Sequence, residues 1–321
     1  MSTWKTRSLV TFLVAFAATE SGAAIAAKRA SESAIGTGVV VINTSQRLED
    51  TVAAGTGMVL TPSGRILTNN HVIAGATTIR VVLPNTTHRY AARVVGYDIA
   101  DDVAVLQLRC ANNLRAVTIG SSATLAVGAS VTAVGNSGGF GRLISVRGRV
   151  IRLRKSVTVQ NSSGELHRLP GLIETNAALR PGDSGGPLLD SAGRVVGINT
   201  AASPFGYRAY AIPIATATRV TQQIVTGKAS SRVHIGATAF LGVQVQGTTV
   251  AEVVPGSPAQ AAGLKPGDVL ISIGGKRVTG TASITGALLA HKPGQVVTVV
   301  WTDETGRRRT ARVRLATGPP Q

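Results

Sequence analysis

The sequence predicts a mostly β protein that ends in a smaller α+β module, and three observations carry that expectation. Val and Thr recur in short runs broken by 37 glycines, which is the pattern of strands and turns rather than long helices. Apolar residues make up 44% of the chain and aromatics only 3%, so the core must be built from Val, Ile, Leu and Ala. The length of 321 residues suffices for two or three domains.

The first element is a leader. Residues 1–26 carry Lys5 and Arg7, then an apolar stretch from Leu9 to Ala18, then small residues ending in Ala24-Ile25-Ala26. That is the order of a secretory signal, and the stretch is short for a bilayer span, with Glu20 interrupting it. An exported protein is expected, cleaved after Ala26 and periplasmic, extracellular or envelope-associated; an uncleaved N-terminal anchor is the alternative. Cys110 is the only cysteine, so no disulfide forms within the chain, and its place after VAVLQL suggests a small buried hydrophobe.

The formal charge is +18, and removing Lys5, Arg7 and Glu20 with the leader lowers it by one to +17. Such a balance favours polyanions, yet aromatic residues for stacking on bases are scarce. A solvated basic surface is the expectation, with no specific nucleic acid as partner. The densest basic run, RLISVRGRVIRLRKS, reads as a β-hairpin with Arg147, Arg149, Arg152 and Arg154 on one face.

The chemistry centres on RPGDSGGPLL, residues 180–189, where one hydroxyl stands among residues that are nearly all backbone. A serine attacks only if a base takes its proton, and the resulting oxyanion needs backbone N–H groups that bulky neighbours would crowd. Of five histidines, His71 has the best support: GTGMVLTPSGRILTNNHVI reads as strand, turn, strand, with the histidine where the chain leaves the hairpin. A buried carboxylate must orient the imidazole, and YDIADDVAVLQL offers Asp98, Asp101 and Asp102 at the mouth of an apolar strand. Alternation does not choose between Asp101 and Asp102. The chain order His, Asp, Ser is opposite to that of an α/β-hydrolase. A nucleophile elbow would also need a helix after the serine, whereas LLDSAGRVVGINT is strand-like.

These segments resemble those of HtrA-type (DegP/DegS-like) serine proteases of the chymotrypsin clan. TNNHVI resembles the histidine motif, DIADDVAVLQL the aspartate motif and ETNAALRPGDSGGPLLDSAGRVVGINTA the serine motif; AVGNSGGFG and YAIPI also have counterparts. The resemblance spans residues 37–317 and implies a chymotrypsin-like double β-barrel. It makes His71 the general base, Ser184 the nucleophile and Asp102 the orienting acid, with the N–H groups of Gly182 and Ser184 as oxyanion hole. Ala178, six residues before the nucleophile, falls at the specificity pocket and implies a small or aliphatic residue before the scissile bond. One departure stands out: the family usually has Asn before the nucleophile, and Asp183 stands here, as in digestive proteases. Those enzymes bury that aspartate against a newly cut N-terminus, but no activation peptide is visible in this sequence.

After a helix expected near residues 214–226, the polar segment 229–237 reads as a linker. Beyond it lie short strands at Leu241–Val245 and Val250–Val254, a helical AQAAGL, the strand VLISI, a helix with Ile284 and Leu288 on one face, and two final strands joined at Asp303–Gly306. VVPGSPAQAAGLKPGDVLISIGG resembles a protease-associated PDZ domain, which adds a C-terminal peptide as an extra strand. Phe240, Leu241, Gly242 and Val243 fall at the family's carboxylate-binding loop.

The expected organisation is therefore a signal peptide at 1–26, a protease domain at 27–228, a linker at 229–237 and a PDZ domain at 238–317. The resemblance implies an endopeptidase acting on unfolded or misfolded polypeptides, with C-terminal peptides as ligands of the PDZ domain. A homotrimer is the assembly usual in the family, although residues 27–36 hold no aromatic residue on which to rest it. Neither a metal nor an organic cofactor is called for. The alternatives are an inactive PDZ adaptor and a surface protein that binds polyanions.

Overall fold

The computed structural model describes residues 36–46, 51–160, 166–202 and 208–321; the expected signal segment, residues 1–26, lies outside them. Among the described residues no helix is long and apolar enough to cross a membrane.

The expected double β-barrel forms. Strands β1 (Val39–Gln46), β2 (Thr51–Val59), β3 (Arg65–Thr68), β4 (Thr78–Val82), β5 (Arg89–Asp98) and β6 (Val103–Leu108) pair in the order β5-β4-β1-β2-β3-β6. β6 also pairs with β5, which closes the sheet. Val40, Ile42, Ile66, Tyr97 and Leu106 fill this barrel with no exposed surface. Each such side chain contributes about 1.5–3 kcal/mol by leaving water. β6 is buried on both faces from Val103 to Leu106, so the acids that precede it enter a site that water scarcely reaches.

The second barrel closes through β10 (Pro187–Leu189), β11 (Val195–Ala202), β12 (Ala209–Pro213), β9 (Leu166–Thr175), β8 (Ile144–Gln160) and β7 (Ser130–Gly135). Val131, Val150, Ile173, Leu188 and Val196 form its core. The basic run expected as a hairpin is instead part of the single 17-residue strand β8. Bulges between Val150 and Val157 let that strand bend without turning back, and Arg147, Arg149, Arg152 and Arg154 are all exposed. Cys110 is exposed as well, contrary to the buried place expected, because β6 ends at Leu108 and the chain turns there, with φ 55° at the cysteine.

Helix α2 (Ile214–Val225) turns Ile214, Ala217, Val220 and Ile224 inward and packs on strands of both barrels. The segment 229–237 is not free linker: β13 (Val233–Ile235) pairs with β5 and extends the first barrel. Arg232, just before it, places Nη2 2.7 Å from Asp101 Oδ1, and Arg219 of α2 reaches Asp101 Oδ2 at the same distance. Three residues, Val233-His234-Ile235, are too few to carry a strand signal, and burial of Val233 and the ion pair from Arg232 support their pairing with β5.

The last module is built from β14 (Thr238–Phe240), β15 (Val243–Gln246), β16 (Thr249–Val253), α3 (Pro258–Ala261), β17 (Val269–Ile273), β18 (Lys276–Arg277), α4 (Thr281–Leu289), β19 (Val296–Thr302), β20 (Arg308–Arg314) and β21 (Ala316–Gly318). Its main sheet runs β15-β16-β17-β19-β20, which leaves β15 as an edge strand. Leu241, Leu270, Ile273, Val299 and Trp301 fill its core.

Candidate active site

The first barrel supplies a histidine and a carboxylate. β3 ends at Thr68, and the short helix α1 (Asn70–Ile73) carries His71 out of the strand. The Asn69 side chain is buried and donates Nδ2–H to the main-chain oxygen of Asp102 at 2.9 Å, so the two loops are tied at their backbones. Asp102 then accepts twice from His71. The histidine N–H donates to Oδ1 at 2.9 Å, and ring Nδ1 lies 2.8 Å from Oδ2. A carboxylate at Nδ1 places the proton there and leaves Nε2 as the open acceptor. Asp102 adopts φ 51°, a left-handed conformation that Asp tolerates better than most residues. Asp101 sits one residue away yet faces Arg219 and Arg232 instead.

The charges reinforce one another. Burial works against a charged imidazole, but the Asp102 charge and hydrogen bond outweigh it and raise the His71 pKa above its ordinary value. Burial would likewise raise Asp102, but the His71 charge and the hydrogen bonds from His71 and Thr200 bring it below the usual carboxylate range. Thr200, on β11 of the second barrel, donates its hydroxyl to Asp102 Oδ2 at 2.6 Å.

The second barrel supplies the serine. Ser184 lies in the loop before β10, and its main-chain oxygen accepts from Thr56 N–H of β2 at 2.8 Å. Its hydroxyl points to the main-chain oxygen of Thr200 at 3.2 Å, so Thr200 contacts both Asp102 and Ser184. The Pro181 carbonyl accepts from Gly138 N–H at 2.8 Å. Since the peptide is trans, the Gly182 N–H is aimed the opposite way. Among the described residues neither the Gly182 nor the Ser184 amide donates to a protein acceptor. Gly182 takes φ 96°, and a Cβ there would stand 2.2 Å from the Asn136 carbonyl, so only glycine fits. Ala178 is exposed in the segment that leads to this loop. Asp183 is 1% exposed, and burial lifts its carboxyl above the usual range despite hydrogen bonds from Ser137 and the Arg180 amide.

The four residues expected at the peptide site divide by role. Leu241 is fully buried in the module's core, and its carbonyl accepts from Ala259 N–H at 2.8 Å. Phe240 and Val243 are half-buried, and Gly242 turns the chain into edge strand β15 with φ 90°.

The chain's last residues also reach the histidine turn. Asn70 Nδ2 donates to the Gln321 main-chain oxygen at 2.9 Å, and Gly75 N–H to the Pro320 carbonyl at 2.8 Å. Tyr97, buried in the first barrel, accepts from the Gln321 N–H at 3.3 Å and lies 3.1 Å from Thr238 Oγ1. The sequence alone points neither to these contacts nor to Asn69 and Thr200. Ordinary Asn and Thr residues give no signal until the strand register sets them beside the carboxylate.

Two six-stranded barrels, one holding an imidazole on a buried carboxylate and the other carrying a serine in a glycine-rich loop, make up a trypsin-like peptidase fold, here followed by a PDZ module. Residues 55–198 match the trypsin-like peptidase domain family, and residues 249–302 match the PDZ domain family. Protease Do-like 1, chloroplastic, of Arabidopsis thaliana is 36% identical over 275 residues, covering 78% of this chain and 61% of that protein. The probable periplasmic serine endoprotease DegP-like of Chlamydia trachomatis serovar D is 34% identical over 256 residues, covering 75% and 49%. The chain thus spans between 49% and 61% of the length of these curated relatives. The solved HtrA-type protease AlgW with tripeptide is 29% identical with a TM-score of 0.53, covering 90% of this chain and 98% of that one. The serine endoprotease from Yersinia pestis is 25% identical with a TM-score of 0.50, covering 89% and 97%. The chain thus carries a trypsin-like peptidase domain followed by a PDZ domain, and the relatives and solved structures it resembles are DegP-like and HtrA-type serine proteases.

Proposed function

We propose that this chain is an exported serine endopeptidase that cuts unfolded or misfolded polypeptides, with His71, Asp102 and Ser184 as its triad. The observation that carries this reading is the bidentate hold of Asp102 on His71, with Thr200 linking that pair to Ser184. Rotation of the Ser184 hydroxyl away from Thr200 gives its proton to His71 Nε2 as Oγ bonds to the scissile carbonyl carbon. Gly182 and Ser184 N–H groups receive the oxyanion. His71 returns the proton to the leaving amine as the C–N bond breaks, and water then attacks the acyl ester with His71 as base. Ala178, small and uncharged, suits a small or aliphatic residue before the scissile bond. Export is supported by the leader and by relatives named periplasmic.

We divide the mature chain into a protease domain at 27–228, a connecting segment at 229–237 and a PDZ domain at 238–317. The open edge of β15 accepts a C-terminal peptide as an added strand, with the Phe240–Val243 loop at its carboxylate. Two solved relatives hold a tripeptide and a decapeptide, which supports peptides as the ligand class. Casein digestion by the full chain and by Ser184→Ala, with and without hydrophobic C-terminal peptides, tests both halves. Digestion lost in Ser184→Ala and altered by the peptides is the expected result; digestion that survives in Ser184→Ala overturns the nucleophile.

A further inference from the structure

We infer that Ser137 is a positioning residue that locks the oxyanion loop to the neighbouring 136–138 turn through its bond to Asp183. This rests on the reading of Ser184 as nucleophile.

A carboxylate that is 1% exposed needs partners, because an unpaired buried charge is strongly unfavourable. Asp183 has two hydrogen-bond donors, neither of them a charged group, while the Arg180 guanidinium acts on it only from beyond ion-pair distance. Ser137 Oγ donates to Oδ1 at 2.6 Å, and the Arg180 backbone N–H donates to Oδ2 at 2.8 Å. Among the described residues no cation forms an ion pair with it. The Asp183 N–H in turn donates to the Arg180 carbonyl at 3.1 Å, so residues 180–183 form a turn closed from both sides.

Ser137 fastens that turn to the neighbouring loop. Gly138 N–H donates to the Pro181 carbonyl at 2.8 Å, and Thr56 Oγ1 donates to the Gly182 carbonyl at 2.7 Å while accepting from Asn136 N–H at 2.8 Å. The Pro181–Gly182 and Gly182–Asp183 peptide planes are therefore clamped through their carbonyls, which fixes where the Gly182 N–H, one of the two proposed oxyanion donors, aims. A clamp is needed here because glycine at 182 does not resist a peptide flip. Among the bonds that cross between the two loops, the Ser137–Asp183 bond is the shortest and the only one to a carboxylate.

The test compares kcat and KM of the full chain on a chromogenic peptide with an aliphatic residue before the scissile bond. Its variants are Ser137→Ala, Asp183→Ala and Asp183→Asn. Ser137→Ala and Asp183→Ala should lower kcat by about ten- to a hundredfold with KM within about twofold, as when one oxyanion donor is misplaced. Asp183→Asn, whose amide can accept from Arg180 N–H and donate to Ser137, should recover most of the rate lost in Asp183→Ala. Circular dichroism of each variant separates misfolding from misplacement, and Ser137→Ala carries the test if Asp183→Ala does not fold. A folded Ser137→Ala protein with wild-type kcat, or a loss confined to KM, overturns the lock alone. A wild-type chain without Ser184-dependent hydrolysis overturns both this lock and the nucleophile reading.

Discussion

Thr200 Oγ1 lies 2.6 Å from Asp102 Oδ2, and this bond joins the second barrel to the carboxylate of the first. The same residue's carbonyl accepts from Ser184, so one position on β11 touches both Asp102 and Ser184.

Replacing that threonine by valine keeps the shape and removes the donor. A hydrogen bond to a buried charged group is worth about 1.5–3 kcal/mol. Thr200→Val should therefore lower kcat by roughly ten- to a hundredfold at that magnitude, with a smaller change in KM, in steady-state peptide assays.

The His71–Asp102 pair sets the pH dependence. In the proposed mechanism His71 takes the serine proton only when neutral, so activity should fall as pH drops through its raised pKa, with the acid limb above the ordinary histidine value. Asp102→Asn should move that limb downward and reduce kcat by on the order of 10⁴-fold. For stability, the raised imidazole stabilises fully below the ordinary histidine pKa, and this is lost as pH rises through the folded value. The depressed carboxylate stabilises above the ordinary Asp range, and this is lost as pH falls through its lowered value. Thermal melts of Ser184→Ala and Ser184→Ala/Asp102→Asn across pH check both directions without self-digestion.

Gly182→Ala forces a side chain into the Asn136 carbonyl at a left-handed φ. Peptide hydrolysis should drop by about 10²-fold or more as the loop shifts away from Ser184. Fluorophosphonate labelling of Ser184 should slow in parallel.

Gly242→Ala tests the second module. Its Cβ would stand 2.1 Å from Ser257 Cβ at φ 90°, so the turn into β15 cannot form as it is. Calorimetric titration with hydrophobic C-terminal peptides should show binding weakened by at least about tenfold, a loss of about 1.4 kcal/mol. Hydrolysis of a short peptide should change much less.

Arg232→Ala removes one of two cations on Asp101 and loosens β13 from β5. Arg232 is half exposed, so the expected loss is about 1 kcal/mol, shrinking in high salt. Denaturant midpoints at low and high ionic strength measure it.

Much of this was legible in the sequence because it depends on local pattern. The strand-turn-strand before His71, the glycine-flanked Ser184 and the apolar β6 each announce themselves within about a dozen residues. Asp102 was not separable from Asp101 by alternation, since β6 is buried on both faces. What separates them is a left-handed backbone that turns one acid toward His71 and leaves the other to arginines from distant segments. Thr200, Asn69 and Ser137 were invisible for the same reason: their roles come from which strands and loops meet, which spacing along the chain does not encode. β13 was missed because three residues are too few for periodicity to register.

The contact between Gln321 and Asn70 ties two distant parts of the sequence. Pro320 and Gln321, which follow the last strand of the second module, are seated by Gly75 and Asn70 on the turn that carries His71. That turn and the segment after β21 therefore cannot separate without breaking both bonds.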